Sequence, residues 1–248
     1  MKSLKAFALP AGGKPGVPAV SWVDANRVVH TQSPSPELGR EDMSSNLRAR
    51  RPASFPLRRN VEGYYWFSQL RKHVWHESME EYSALMFLDH IADVGGIAAQ
   101  PMRIDFGNGL WHFPDFFSEY ASGHRELINV RPADLIKPAT ARQFAATDAF
   151  CAEVGWGHRV ITGFTAIERH NLEWLAPYRH PRHAPSPGWK RELEDMTSES
   201  TAFGRLWSLS QKRGPAALAG VYHLLWQRIL LFDSARRFTF SSPIWKVS

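Results

Sequence analysis

The spacing of apolar positions changes period several times along the chain, and each change marks an element. Residues 61–74 (VEGYYWFSQLRKHV) are aromatic and β-favouring on both sides of a polar QLRK stretch, which predicts a hairpin. Residues 77–90 (ESMEEYSALMFLDH) bring Met79, Tyr82, Leu85 and Met86 to one side at helical spacing, with Gly95-Gly96 shortly afterwards. Three β-like stretches follow, 97–106, 110–120 and 125–130, parted by the turn signals GNG and SGH, and they predict a meander. Residues 139–154 gather Phe144, Thr147, Ala149, Phe150, Ala152 and Val154 on one side before Gly155, the pattern of a second helix with a glycine stop. A short strand over 158–162 and a third amphipathic helix over 166–178 come next. Helix, strands, helix and strand in this order predict an α/β layer with a mixed central sheet flanked by helices.

The stretch 179–188 (RHPRHAPSPG) carries Pro181, Pro185, Pro187 and Gly188, which exclude a long regular element, so it reads as a linker and a domain boundary. Beyond it, 200–212 and 215–226 read as helices and 229–233 and 236–240 as a two-stranded wing. Helices followed by a β-hairpin outline a small winged-helix-like domain. The expected organisation is an N-terminal arm over 1–59, an α/β domain over 60–183 and a winged-helix-like domain over 188–248.

Charge adds the arm. Residues 1–60 hold ten Lys and Arg against four Asp and Glu, so the whole net charge of +6 sits there. With seven of the seventeen prolines and the cluster Arg48, Arg50, Arg51, Arg58 and Arg59, the segment reads as a flexible basic arm. Such an arm suits a polyanion, and a solvated tail reads equally from the same composition. A single cysteine, Cys151, excludes an intramolecular disulfide and a multi-cysteine zinc site, and is expected to pack in the core. No apolar run reaches the about 18 residues of a membrane span, and the N-terminus lacks the apolar stretch of a signal peptide; a cytoplasmic protein without a membrane partner is expected.

Candidate chemistry is concentrated in His112-Phe113-Pro114-Asp115-Phe116-Phe117 and Leu127-Ile128-Asn129-Val130-Arg131. Strand alternation turns Asn129 and Arg131 one way and Ile128 and Val130 into the apolar layer, so Asp115, Asn129 and Arg131 would meet at one end of a hairpin. Phosphodiester hydrolysis needs a hard cation with oxygen ligands, a positioned water and positive charge near the phosphorane. Asp115 would hold the metal and Arg131 the phosphate. A carboxylate from the preceding helix would complete the set, where Glu77, Glu80 and Glu81 all qualify and spacing does not choose among them.

The order E-S-x-x-E, Q-P, P-D-F-F and V-R-P resembles the TnsA-like endonuclease subunits of heteromeric transposases. The likeness runs from about Gly63 to Arg182, including Gly155-Trp156 and W-L-x-x-Y-R-H-P-R from Trp174, and the Tyr222-His223-Leu224-Leu225-Trp226 string also fits. It implies a PD-(D/E)XK, restriction-endonuclease-like core. Glu81, 19 residues before Gln100, would be the helix carboxylate, Asp115 the motif aspartate, and Asn129 and Arg131 would complete the catalytic set. Mg²⁺, with Mn²⁺ able to substitute, would be held by Glu81, Asp115, Asn129 and the Val130 backbone, with Gln100 in support. The implied activity is hydrolysis of double-stranded DNA at transposon ends, beside an integrase-like transposase subunit and an ATPase regulator. Arg131 stands where the superfamily has lysine; a guanidinium neutralises phosphate but does not act as a general base. A catalytically silent DNA-binding or adaptor subunit and a stand-alone restriction or repair nuclease are the alternatives. His112, His170, His180 and His183 match no zinc spacing and read as structural or phosphate contacts. Trp207, Trp226 and Trp245 read as the core of the small domain, and Arg179-His180-Pro181-Arg182 as a DNA contact or a solvated linker.

Overall fold

The computed structural model describes Leu9 and residues 16–50, 61–91 and 93–247. It is a mixed α/β chain of two compact units, Met1–Leu85 with Ala92–Gly163 and Met86–Ile91 with Phe164–Ser248.

The first unit opens with β1 (Ala19–Val23) and β2 (Val29–Gln32), then the expected hairpin, β3 (Gly63–Phe67) and β4 (Lys72–His76). Helix α1 (Met79–Ile91) follows, its residues from Met86 onward counting with the second unit. Then come β5 (Val94–Ala99), β6 (Met102–Asp105), β7 (Trp111–His112), β8 (Phe116–Tyr120) and β9 (Arg125–Val130), α2 (Pro138–Val154) and β10 (Gly157–Ile161). One sheet has the order β10-β9-β8-β5, antiparallel except for the parallel pair β9 and β10; a second has the order β2-β1-β6-β7. Gly155, at φ 78, closes α2 as its spacing predicts.

The expected three-strand meander is corrected. The stretches 97–106 and 110–120 each break in the middle, so β5 and β8 lie in one sheet while β6 and β7 lie in the other. Gln100 adopts φ 45, and Pro101 and Pro114 have no N–H to give a ladder, so both strands leave one sheet at these points. The Gln100 N–H donates to the Asp115 carbonyl at 2.8 Å, tying the two breaks together.

The flexible arm over 1–59 is corrected as well, as far as the described residues reach. β1 pairs with β6 from Ala19↔Asp105 to Trp22↔Met102, and Val20, Val23, Leu38 and Met43 are fully buried. The Gly39 carbonyl, in a 3-10 turn over Leu38–Arg40, accepts from Arg125 Nη1 at 2.6 Å and from the Trp156 indole at 3.0 Å. A mean charge over sixty residues hides a five-residue strand whose partner is eighty residues away. The rest of the arm, including Arg51, Arg58 and Arg59, lies outside the described residues.

The second unit contains α3 (Ala166–Leu175), begun by a Thr165–Glu168 capping box, 3-10 turns over Ala176–Arg179 and Pro181–His183, α4 (Pro187–Met196), β11 (Thr201–Ala202), α5 (Phe203–Arg213), α6 (Pro215–Trp226), β12 (Leu230–Leu231) and β13 (Pro243–Lys246). Its antiparallel sheet has the order β11-β13-β12. The boundary therefore falls at Gly163, ahead of the stretch that reads as a linker. Asn171 Nδ2 donates to the carbonyls of Ser234 and Arg236, both at 2.8 Å, and His223 Nδ1 bonds the Tyr178 carbonyl at 2.7 Å, fastening α3 and the turn after it into this unit. Helix α4 was not anticipated; its sign is Ser186-Pro187, with Ser186 Oγ accepting from the Trp189 N–H at 3.3 Å and Trp189 and Leu193 buried one turn apart. Residues 236–240 form no strand: the rings of Phe238 and Phe240 both pack on Phe203, and the strand that pairs with β12 is β13. Of the tryptophans expected in this core, Trp226 is buried, whereas Trp207 stays 36% exposed against Phe240. Among the described residues no helix is long and apolar enough to cross a membrane.

Candidate active site

The site lies within the first unit, where the start of α1 meets the two strand breaks. Ser78 begins the helix: its Oγ accepts from the Glu81 N–H and donates to Glu81 Oε1, both at 3.2 Å, and the Glu77 N–H donates to Glu81 Oε2 at 2.7 Å. The S-x-x-E spacing is thus first a capping device, which fixes the Glu81 carboxylate over otherwise unpaired donors. Each carboxylate oxygen has two lone pairs, so these bonds leave acceptor capacity.

Asp115 follows Pro114 at the entrance to β8, and the Val130 N–H at the end of β9 donates to its Oδ2 at 2.7 Å. Gln100 is buried; its Nε2 donates to Glu77 Oε2 at 2.9 Å, while its Oε1 is buried with no donor. Arg50 Nη1 lies 3.8 Å from the same Glu77 oxygen. The chain therefore brings Glu77, Glu81, Gln100 and Asp115 together from one helix start and two strand breaks, with Arg50 beside them. Glu80, the remaining alternative on that turn, is half-buried.

Electrostatics follow from this crowding. Burial pushes the Glu81 carboxyl up to about 8, and the charges of Asp115 and then Glu77 add to it against the hydrogen bonds from Glu77 N–H and Ser78. Asp115 is raised too, by desolvation first, with the Val130 N–H and the positive charges of Arg50 and Arg131 pulling the other way. Two carboxylates that repel in a poorly solvated place are held short of a positive charge.

Arg131 is exposed, with its Nε 3.3 Å from the Leu135 carbonyl, and its charge reaches Asp115. Asn129 is placed differently from the expectation. It is buried, and its amide is engaged at both ends, Oδ1 with His112 Nε2 at 2.8 Å and Nδ2 with His158 Nε2 at 2.7 Å. His158 Nδ1 lies 2.5 Å from Asp148 Oδ1 on α2. With the Nδ1 proton donated to Asp148, His158 Nε2 accepts from the amide, which turns the Asn129 oxygen toward His112. Burial drives His112 down to about 4, so it is neutral and donates from Nε2. His112 is structural; His170 and His180 are exposed in the second unit.

Among the described residues no group of three or more His, Cys, Asp or Glu side chains is arranged to hold a metal ion. The donors nevertheless fit a small hard cation. They are all oxygen, two are carboxyl groups that burial and crowding hold toward the protonated form and that a cation would ionise, and Gln100 Oε1 is an orphaned buried acceptor. Mg²⁺ commonly takes one or two carboxylates and completes its shell with water and substrate phosphate. Sequence reasoning left Glu77 as one of three alternatives and did not find Arg50 or the His112–Asn129–His158–Asp148 chain. No pattern in the sequence marks that chain, because its members come from four separate elements. No family model matches this chain, and no curated protein matches it.

Proposed function

We propose that this protein is a metal-dependent DNA endonuclease subunit of a heteromeric transposase, hydrolysing one phosphodiester at transposon ends beside a separate transposase subunit and an ATPase regulator. The observation that carries the chemistry is the pair Glu81 and Asp115, from elements far apart in sequence, crowded into one site with both carboxyl groups raised. Two features of the fold support it. The run α1, β5, β8, β9, α2, β10, antiparallel until its last strand, is compatible with a restriction-endonuclease-like core. The run α4, β11, α5, α6, β12, β13 is compatible with a winged helix.

Glu81, Asp115 and Gln100 Oε1 would hold Mg²⁺, and the ion when bound supplies Lewis acidity and a more acidic water. The chain's own residues do the rest. Arg131 sits at the exposed edge and neutralises a phosphate oxygen; permanently charged, it takes no proton. Glu77, oriented by Gln100 Nε2, receives the proton of the water as its oxygen attacks phosphorus and the P–O bond to the leaving deoxyribose oxygen breaks, that oxygen taking a proton from solvent. Helix α6 (PAALAGVYHLLW) has no Lys or Arg, so the second unit is assigned to docking a protein partner rather than to groove reading by that helix.

The test is cleavage of transposon-end and plasmid DNA with Mg²⁺ or Mn²⁺, with and without the partner transposase. Nicking that depends on metal and disappears in Asp115→Ala supports the reading. The engaged amide of Asn129 favours one second reading, a silent DNA-binding or adaptor subunit. Inert wild type, with Asp115-dependent cutting gained in Arg131→Lys, would establish that one instead.

A further inference from the structure

We propose that a cleft of the first unit, bounded by β4, β5 and residues 44–48, seats a backbone phosphate of the bound DNA next to the one that is cut, with Arg48 and Lys72 as its cations. The identification of the phosphate as DNA rests on the nuclease reading; the anion chemistry does not.

The cleft has a volume of about 230 Å³, with Trp75 in its floor and Tyr64 and His73 exposed at its rim. The Arg48 guanidinium lies over the Trp75 ring, Cζ 3.9 Å from the centroid, a cation–π contact that holds it at the cleft. It makes no ion pair among the described residues, and its Nε is buried without an acceptor. The Lys72 ammonium has a single protein contact described, the Ser44 carbonyl at 3.5 Å. Desolvation lowers the pKa of both cations. The charges of Glu62 and Glu77 reach Arg48 and that of Asp42 reaches Lys72, but none of these acids is in ion-pair contact with either cation among the described residues: Asp42 accepts at its Oδ1 from the Ser44 N–H and hydroxyl at 2.9 and 2.7 Å, and Glu77 turns its Oε2 to Gln100 and Arg50. Two partly desolvated cations lining one cleft without a described ion pair, one of them with an orphaned donor, suit an anion.

Position selects the ligand. β4 ends at His76, one residue before Glu77, and β5 ends at Ala99, one residue before Gln100, so both strands that wall the cleft lead into the carboxylate site. Trp75 and Glu77 are two residues apart, about 7 Å along an extended strand. A chain of phosphates laid across the carboxylates would place a neighbouring one over Arg48 and Lys72, with its sugar against Tyr64 and His73. Gly96 makes the cleft possible: a Cβ there would lie 2.6 Å from the Ser44 Cβ, so any larger residue lifts the wall off the sheet.

The measurement is binding of a short DNA duplex by fluorescence anisotropy in Ca²⁺, over a range of salt, for wild type, Lys72→Gln, Arg48→Gln and Lys72→Arg, with thermal melting of each variant. The expected result is weaker binding at low salt and a log–log salt dependence shallower by about 0.9 for each phosphate no longer neutralised, restored by Lys72→Arg. Lys72→Gln keeps the inference testable if Arg48→Gln fails to fold. If wild type binds DNA and the folded variants keep its salt dependence, the cleft holds no phosphate, while the nuclease reading stands. If wild type binds no DNA but inorganic phosphate binds in a Lys72-dependent way, the anion seat stands and the DNA assignment falls with the nuclease reading. If neither ligand binds, both are overturned.

Discussion

Replacing Glu81 by Gln separates the charge of this residue from its shape. The folded carboxyl rises to about 8 from an ordinary value of 4.5, so the native state binds protons more tightly than the unfolded chain between those values. Stability contributed by protonated Glu81 is therefore present at low pH and lost as pH rises toward about 8, a change on the order of a few kcal/mol. Glu81→Gln removes that pH dependence. It also puts an amide N–H₂ against one of the two donors that Glu81 now accepts from, a pH-independent loss of about 1 kcal/mol. The variant should be slightly less stable than wild type at pH 5 and more stable at pH 8.5, the curves crossing in between. A change of 1 kcal/mol moves the melting temperature of a domain this size by about 2–4 °C, well within reach of thermal denaturation. On the proposed reading Mg²⁺ would bind the ionised carboxylates, so its stabilisation of wild type should grow with pH and be much reduced in the variant. A wild-type-to-variant difference that is flat from pH 5 to 8.5, with Mg²⁺ stabilising both equally, would refute the buried-carboxylate account and Glu81 as a ligand.

Further outcomes are expected elsewhere in the molecule. Gly39→Ala would put a Cβ 2.0 Å from the Val154 carbonyl oxygen, so chemical denaturation should show a loss of about 1–3 kcal/mol; an unchanged midpoint would return residues 35–45 to the surface. Asn129→Leu strips partners from His112 and His158 and should lower stability by about 1–3 kcal/mol; if metal-dependent cleavage nevertheless survives, Asn129 is no ligand. His90 and His112 are each driven down to about 4 by burial, so they contribute stability that is complete above about 6.5 and lost as pH falls through 4. Gln in place of either should flatten acid unfolding in that window, and an unchanged acid limb would contradict their burial as neutral rings. Deleting residues 16–33 removes the partner of β6 and should leave the first unit unable to melt cooperatively, where a dispensable arm would leave its transition intact.

Local chemistry was readable from the chain itself. Helix α2 with its glycine stop, the β3–β4 hairpin, α5 and α6 all follow from spacing and turn residues within a single window; Asp115 and Arg131 are candidates from residue type and strand order, whereas Glu81 and Gln100 are singled out only by the family resemblance. Long-range pairing could not be read that way. Whether 97–106 is one strand or two depends on which sheet each half joins, and that is set by β1, some eighty residues earlier, offering its edge to β6. The same holds for polar groups. Asn129 reads as a ligand because strand alternation gives its direction but not its neighbours, and the two histidines that occupy its amide arrive from β7 and β10. A side chain's chemical type is written in sequence. Its desolvation and its partners are properties of the packed chain, and here they decide which carboxylates are raised, which amide is already satisfied and which cations are partly desolvated.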